Sequence, residues 1–187
     1  MKRIGLFGGS FDPIHNGHIK LAEKALKQLK LDVVYFVPAY LPPHKSRKLT
    51  DILYRKKMLK IALAEFKNAV ISDFEIKRET KTYTYQLVEY FHKKYTDAEL
   101  YLIIGSDSAI DFNNWKNSKK ITMLSKVVFG EREKYNFNAN KSFTELTGKI
   151  PNISSTDIRN RVKQGNSIES LVPPEIECYI IKHGLYK

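Results

Sequence analysis

Two histidines three residues apart, His15 and His18, follow the turn Gly8-Gly9-Ser10-Phe11-Asp12-Pro13 near the start of the chain. At that spacing they share a face once a first helical turn has formed. Gly8 and Gly9 carry no Cβ, which lets the backbone come close to a ligand. A helix beginning near Asn16 or Gly17 would aim its unpaired amides and positive dipole end at the turn, as an anion site requires. Together these features ask for a phosphate. The plainer alternative is a bare Gly-Gly turn with structural or solvated histidines. Neither the spaced-glycine dinucleotide fingerprint nor the phosphate loop ending in Gly-Lys-Ser/Thr is present, so those mechanisms do not transfer.

A second such constellation lies far along the chain, in Ser154-Ser155-Thr156-Asp157-Ile158-Arg159. Ser154 or Ser155 can cap a helix running to Gln164 and ending at Gly165. Its amides would face an anion, and Arg159 on the second turn has the planar fork that suits phosphate oxygens. An ordinary capping motif followed by a surface arginine is the alternative. Between the two stand Lys45 after Leu41-Pro42-Pro43-His44, the run Thr82-Tyr83-Thr84, Gly105-Ser106-Asp107, and the single tryptophan, Trp115. None of them supplies a covalent nucleophile with a base at motif spacing. The simplest chemistry is therefore direct in-line displacement at phosphorus, with the protein positioning anions and neutralising charge.

The elements that must position these residues alternate along the chain. Strands are predicted over 2–7, 32–38, 70–74, 99–104 and 126–129, near-continuous in apolar residues as parallel strands are. Helices are predicted from Asn16 or Gly17, over 51–66, from a Thr82 or Thr84 cap through Tyr95, from 154 or 155 to 164, and from the Pro173-Pro174 pair to His183-Gly184. In the first, Ile19, Leu21, Ala22, Ala25, Leu26 and Leu29 form the apolar stripe. Residues 135–149 read as an excursion with an imperfect strand. The alternation predicts one α/β domain over 1–187, a doubly wound parallel sheet of Rossmann-like type with helices on both faces. The candidate residues fall just past strand ends or at helix starts, so they converge on one sheet edge, where ligands bind. The segment 43–50 is expected to close over it.

Composition sets the outer limits. The 187 residues suffice for one domain that buries roughly 70% of its unfolded surface. No apolar run approaches the ~20 residues of a membrane span, and the chain starts directly on a strand without a signal peptide, which points to a cytoplasmic protein. A lone cysteine, Cys178, excludes an internal disulfide and is expected in the core of its apolar helix. The net charge of +12 favours anionic ligands, but the lysines are scattered over helix faces and no nucleic-acid fingerprint accompanies them.

The string Gly-Ser-Phe-Asp-Pro-Ile-His-Asn-Gly-His resembles the His-x-Gly-His element of the nucleotidylyltransferase superfamily. Its longer form beginning Gly-Gly-Ser-Phe resembles bacterial nicotinate-nucleotide adenylyltransferases. Ile-Ser-Ser-Thr-x-Ile-Arg is similar to the superfamily's second ATP-phosphate motif, and Pro-Pro-His-Lys and Arg-Glu-Thr…Thr-Tyr-Thr to the family's substrate segments. The resemblance implies adenylyl transfer from ATP to nicotinate mononucleotide, giving deamido-NAD and pyrophosphate in NAD biosynthesis, with no covalent intermediate. It places Gly8, Gly9, Ser10, Phe11, His15, His18, Gly105, Asp107, Ser154, Ser155 and Arg159 on ATP, with His18, His15 and Arg159 catalytic. It places Lys45, Tyr83, Thr84, Trp115 and Arg132 on the mononucleotide. Mg²⁺ would be held mainly by the ATP phosphates, with no protein metal site. Three positions depart from the family: Ala39 where Asn is common, Lys116 where an aromatic often follows the Trp, and Glu131-Arg132-Glu133 in place of Arg-Pro-Gly. Rivals are transfer to nicotinamide mononucleotide or phosphopantetheine, or nucleotide or RNA binding without turnover. Oligomeric state stays open, a homodimer being one alternative.

Overall fold

A computed structural model describes residues 1–42, 48–130 and 142–187. The elements follow in the order β1 (Lys2–Gly9), α1 (Asn16–Gln28), β2 (Val33–Pro38), α2 (Ile52–Ala62), β3 (Ala69–Ile71), α3 (Phe74–Arg78) and α4 (Thr84–Lys94). Then come β4 (Ala98–Gly105), α5 (Ser106–Asp111), a 3₁₀ turn at Phe112–Asn114, α6 (Ser118–Leu124), β5 (Lys126–Gly130), β6 (Thr144–Leu146), α7 (Ser155–Lys163) and α8 (Pro174–Lys182). The six strands form one sheet in the order β3-β2-β1-β4-β5-β6, and every neighbouring pair is parallel. The chain builds β1, β2 and β3 outward to one side, then crosses to β4 on the other side of β1. The strand order reverses there, and the crevice beyond the ends of β1 and β4 is where such sheets bind ligands.

Side-chain alternation along the strands divides the interior in two. Leu100, Leu102 and Ile104 join Leu87, Val88 and Phe91 of α4 and Ile121 of α6 on one face. Tyr101 and Ile103 point to the other face, among Leu21, Ala22 and Ala25 of α1, Met58 and Leu59 of α2, and Ile176 and Ile180 of α8. The stripe expected on α1 is the one it buries. At Gly130 Leu21 of α1 and Ile150, both on the same face of the sheet, press directly on the backbone of β5. A Cβ there would lie 2.6 Å from Leu21 Cδ1 and 2.8 Å from Ile150 Cγ1, so only glycine lets α1 lie flat on β5.

Several expected boundaries move. The 70–74 strand ends at Ile71, and Phe74 instead opens the short helix α3, its ring tilted against Tyr90 of α4 with centroids 4.4 Å apart. The α2 helix stops at Ala62 rather than Phe66. Tyr83, not Thr82 or Thr84, occupies the N-cap of α4, and its N–H donates to Gln86 Oε1 at 2.9 Å; the Thr82 hydroxyl turns back to the Thr80 carbonyl. Gly105 is the N-cap of α5, and Asp107 lies in its first turn. Cys178 is exposed, because it sits two residues from Ile176, on the opposite side of α8 from the buried pair. Among the described residues, no helix is long and apolar enough to cross a membrane.

Candidate active site

The turn after β1 is built by its aromatic residue. Phe11 takes φ +46°, a conformation that costs an L-residue roughly 1–2 kcal/mol, and its ring drops into the core. There it meets Phe7 at 5.5 Å, edge-on, and Phe36 at 5.7 Å, tilted. Gly9 underlies the same ring, since a Cβ there would approach it to 3.0 Å, whereas a Cβ on Gly8 would only touch Leu87 at 3.7 Å. The two glycines thus serve different ends. Gly9 makes room for Phe11, and Gly8 leaves backbone open toward the crevice. Any contact of Phe11 with a nucleotide would be through its backbone, as its side chain is 1% exposed.

The chain enters α1 at His15, the N-cap, whose Nδ1 accepts the His18 N–H at 3.3 Å. The imidazoles stack with centroids 3.6 Å apart, and Phe11 meets the His18 ring edge-on at 5.1 Å. His15 is buried and holds the helix start; His18 is half-buried and lines the crevice. That crevice is a cavity of about 460 Å³. Of the residues expected on the nucleotide it is lined by Gly8, Gly9, Ser10, His18, Gly105 and Asp107, and of those expected on the second substrate by Tyr83, Thr84 and Trp115. Trp115 leans on Phe112 at 5.3 Å and leaves part of its ring exposed.

The late helix joins the same turn from outside the cavity lining. Ser154 caps α7 by accepting the Asp157 N–H at 3.0 Å, and the Ser155 hydroxyl donates to the Pro13 carbonyl at 3.0 Å. Arg159 donates through Nη1 to the Asp12 carbonyl at 2.8 Å and through Nη2 to Thr156 Oγ1 at 2.9 Å. Residues 142 and 147 positions apart in sequence are therefore tied to the turn that precedes His18. Both serine hydroxyls make protein contacts, so an anion at the start of α7 would meet first-turn amides rather than those side chains. Lys45 and Arg132 lie outside the described residues, as does most of the segment expected to close.

Three buried charged residues that sequence reasoning did not single out hold this frame. Arg55, 1% exposed, donates to the carbonyls of Thr50, Ser10 and Ala39, each at 2.8 Å, and so joins the ends of β1 and β2 to the start of α2. Asp12, fully buried, accepts from Tyr186 Oη at 2.8 Å and from the Thr50 N–H at 3.4 Å. Burial, with the Asp12 carboxylate beside it, pushes the Tyr186 hydroxyl far above its usual range. Glu75 lines the crevice, and its Oε2 accepts the Tyr40 N–H at 3.3 Å. Burial pushes its carboxyl up to about 7, against the pull of the Tyr40 amide, Arg55 and Arg78. Apart from Thr50, five residues before Arg55, their hydrogen-bond partners lie 16 to 174 residues away and left no local signal. Among the described residues, no three His, Cys, Asp or Glu side chains gather as a metal site.

A parallel sheet whose switch-point crevice carries a helix start and its histidine defines a nucleotidyltransferase-type protein, and the family model described as Cytidylyltransferase-like matches residues 6–161. A Clostridium tetani protein named "Probable nicotinate-nucleotide adenylyltransferase" is 37% identical, covering 100% of both chains, and a Clostridium botulinum (strain Eklund 17B / Type B) protein of the same name is 40% identical, covering 100% of this chain and 99% of that one. The chain belongs to the nicotinate-nucleotide adenylyltransferase family. In fold it is similar to the Plasmodium falciparum nicotinic acid mononucleotide adenylyltransferase complexed with NaAD, at TM-score 0.86 and 24% identity over 100% of this chain and 98% of that one.

Proposed function

We propose that this chain transfers the adenylyl group of ATP to nicotinate mononucleotide, releasing pyrophosphate and forming deamido-NAD. Full-length likeness to proteins of that name supports the substrate pair, and one structural observation supports the chemistry: the β1–α1 turn gathers His18, Gly8 and the α7 start at the strand-order reversal. In this reading an oxygen of the mononucleotide phosphate attacks the α-phosphorus of ATP while the bond to pyrophosphate breaks, with no covalent enzyme intermediate. His18 would donate to the phosphates as charge develops, with His15 fixing its helix start. The α7 amides and Arg159 would receive the β- and γ-phosphates. Asp107, in the first turn of α5 just past β4, would meet the ribose of the adenosine, and Trp115, Tyr83 and Thr84 would border the pyridine ring. Mg²⁺ would be carried in by ATP. With no three His, Cys, Asp or Glu side chains gathered as a metal site among the described residues, phosphate oxygens and water would complete its shell.

The test is pyrophosphate release on mixing the protein with ATP, Mg²⁺ and each of nicotinate mononucleotide, nicotinamide mononucleotide and phosphopantetheine. Fast release with the first, stoichiometric with deamido-NAD, is expected. Release only with phosphopantetheine, or with none of the three, overturns the proposal.

A further inference from the structure

We infer that Lys116 is a specificity-determining residue that reads the carboxylate of the acceptor's pyridine ring, an inference that rests on the function proposed above. Among the described residues that line the crevice, it is the only lysine or arginine, beside three carboxylates, those of Glu75, Asp107 and Asp111. An anionic acceptor entering this lining finds its one lysine or arginine among the described residues at Lys116. The residue follows Trp115 directly, and its Nζ stands 4.5 Å from the centre of the Tyr83 ring. The ring face attracts the ammonium without neutralising it, since an aromatic quadrupole holds a cation but carries no net charge. No carboxylate of the described residues forms an ion pair with it. Lys116 thus stands at one wall of the cavity against the Tyr83 ring, in no ion pair with a described carboxylate. A carboxylate-bearing ring bordered by Trp115 and Tyr83 would find a counter-ion there; the corresponding amide would find none. Lys81 supplies an internal control, for its Nζ lies 5.7 Å from the same ring centre, yet it is not part of the cavity lining.

The experiment measures kcat and KM for nicotinate mononucleotide at fixed ATP in the wild type and in Lys116→Met, Lys116→Arg and Lys81→Met. Nicotinamide mononucleotide serves as second substrate or, where its turnover is too slow, as competitive inhibitor. Lys116→Met keeps most of the aliphatic stem, and the side chain is exposed, so folding is not at stake. KM for the acid should rise about tenfold, equivalent to about 1.4 kcal/mol, with kcat changed less than about twofold and the amide's KM or Ki changed less than about twofold. Lys116→Arg should restore most of the affinity for the acid, and Lys81→Met should leave the acid-to-amide ratio alone. An unchanged KM for the acid, an equal loss for acid and amide, or an equal shift in Lys81→Met would overturn the inference. A wild-type protein that adenylylates neither mononucleotide would instead overturn the proposed function.

Discussion

Replacing Glu75 by Gln should stabilise the protein, and only above acidic pH. The carboxyl is 7% exposed, and burial raises its pKa from the ordinary 4.5 to about 7 despite the Tyr40 amide and two arginines. A carboxyl raised on folding binds its proton more tightly in the native state than in the unfolded chain. Its contribution is therefore fully present below about 4.5 and is lost as pH rises through about 7. At about 1.4 kcal/mol for each tenfold difference in proton affinity, the loss amounts to about 3 kcal/mol. Gln keeps an oxygen for the Tyr40 N–H, now 3.3 Å from Oε2, and has no charge to desolvate. Urea unfolding followed by tryptophan fluorescence and far-UV circular dichroism, at half-unit steps from pH 4.5 to 8.5, gives the difference directly. Wild type and Glu75→Gln should agree at the acid end and diverge to about 3 kcal/mol in favour of the variant at pH 8. A constant difference across the range, or a variant less stable at pH 8, would refute the assignment of the buried charge.

His18→Ala should remain folded while kcat falls by about 10²–10³, the usual effect of deleting a donor to a developing oxyanion; near-wild-type turnover in steady-state assays would remove it from the mechanism. Arg55→Met leaves the carbonyls of Ser10, Ala39 and Thr50 without their guanidinium donor and should cost about 3–5 kcal/mol in denaturant unfolding. Gly130→Ala drives a Cβ to 2.6 Å from Leu21 and should lower stability by about 1–3 kcal/mol in the same assay; Gly8→Ala, with only Leu87 at 3.7 Å, should leave stability within about 1 kcal/mol and raise the KM for ATP instead.

The parts of the site that were legible in the sequence are those whose physics is local. The run 2–7, the glycines behind it and the apolar stripe from Ile19 to Leu29 are enough to require a strand, a turn and a helix start, and all three form, although the strand runs on through Gly8 and Gly9 before the turn begins. The sheet edge followed from alternation alone, because parallel strands all end on one side. Local pattern failed where short apolar segments are ambiguous. Val70 to Phe74 is equally a strand or a strand plus a helix start, and the ring contact of Phe74 with Tyr90 decides it. Cys178 was misplaced by apolar neighbours, although a two-residue offset from Ile176 already put it on the outer face.

What the local pattern could not carry is the support beneath His18. The Phe11 ring is inward only because Phe7 and Phe36, from two strands, form the socket that offsets its strained backbone. Asp12 is held in a fully buried position by donors that include Tyr186, 174 residues later, and Thr50, while Arg159 takes the carbonyl of the same residue. An uncompensated carboxylate there would cost several kcal/mol. The last residues of the chain thus hold the turn that aims the first helix at the crevice. Disturbing Tyr186 should therefore act on the phosphate end of the site as well as on stability, although no part of Tyr186 lines the cavity. A Tyr186→Phe variant whose KM for ATP is wild-type, despite a measurable loss of stability, would show that the turn keeps its shape without that bond.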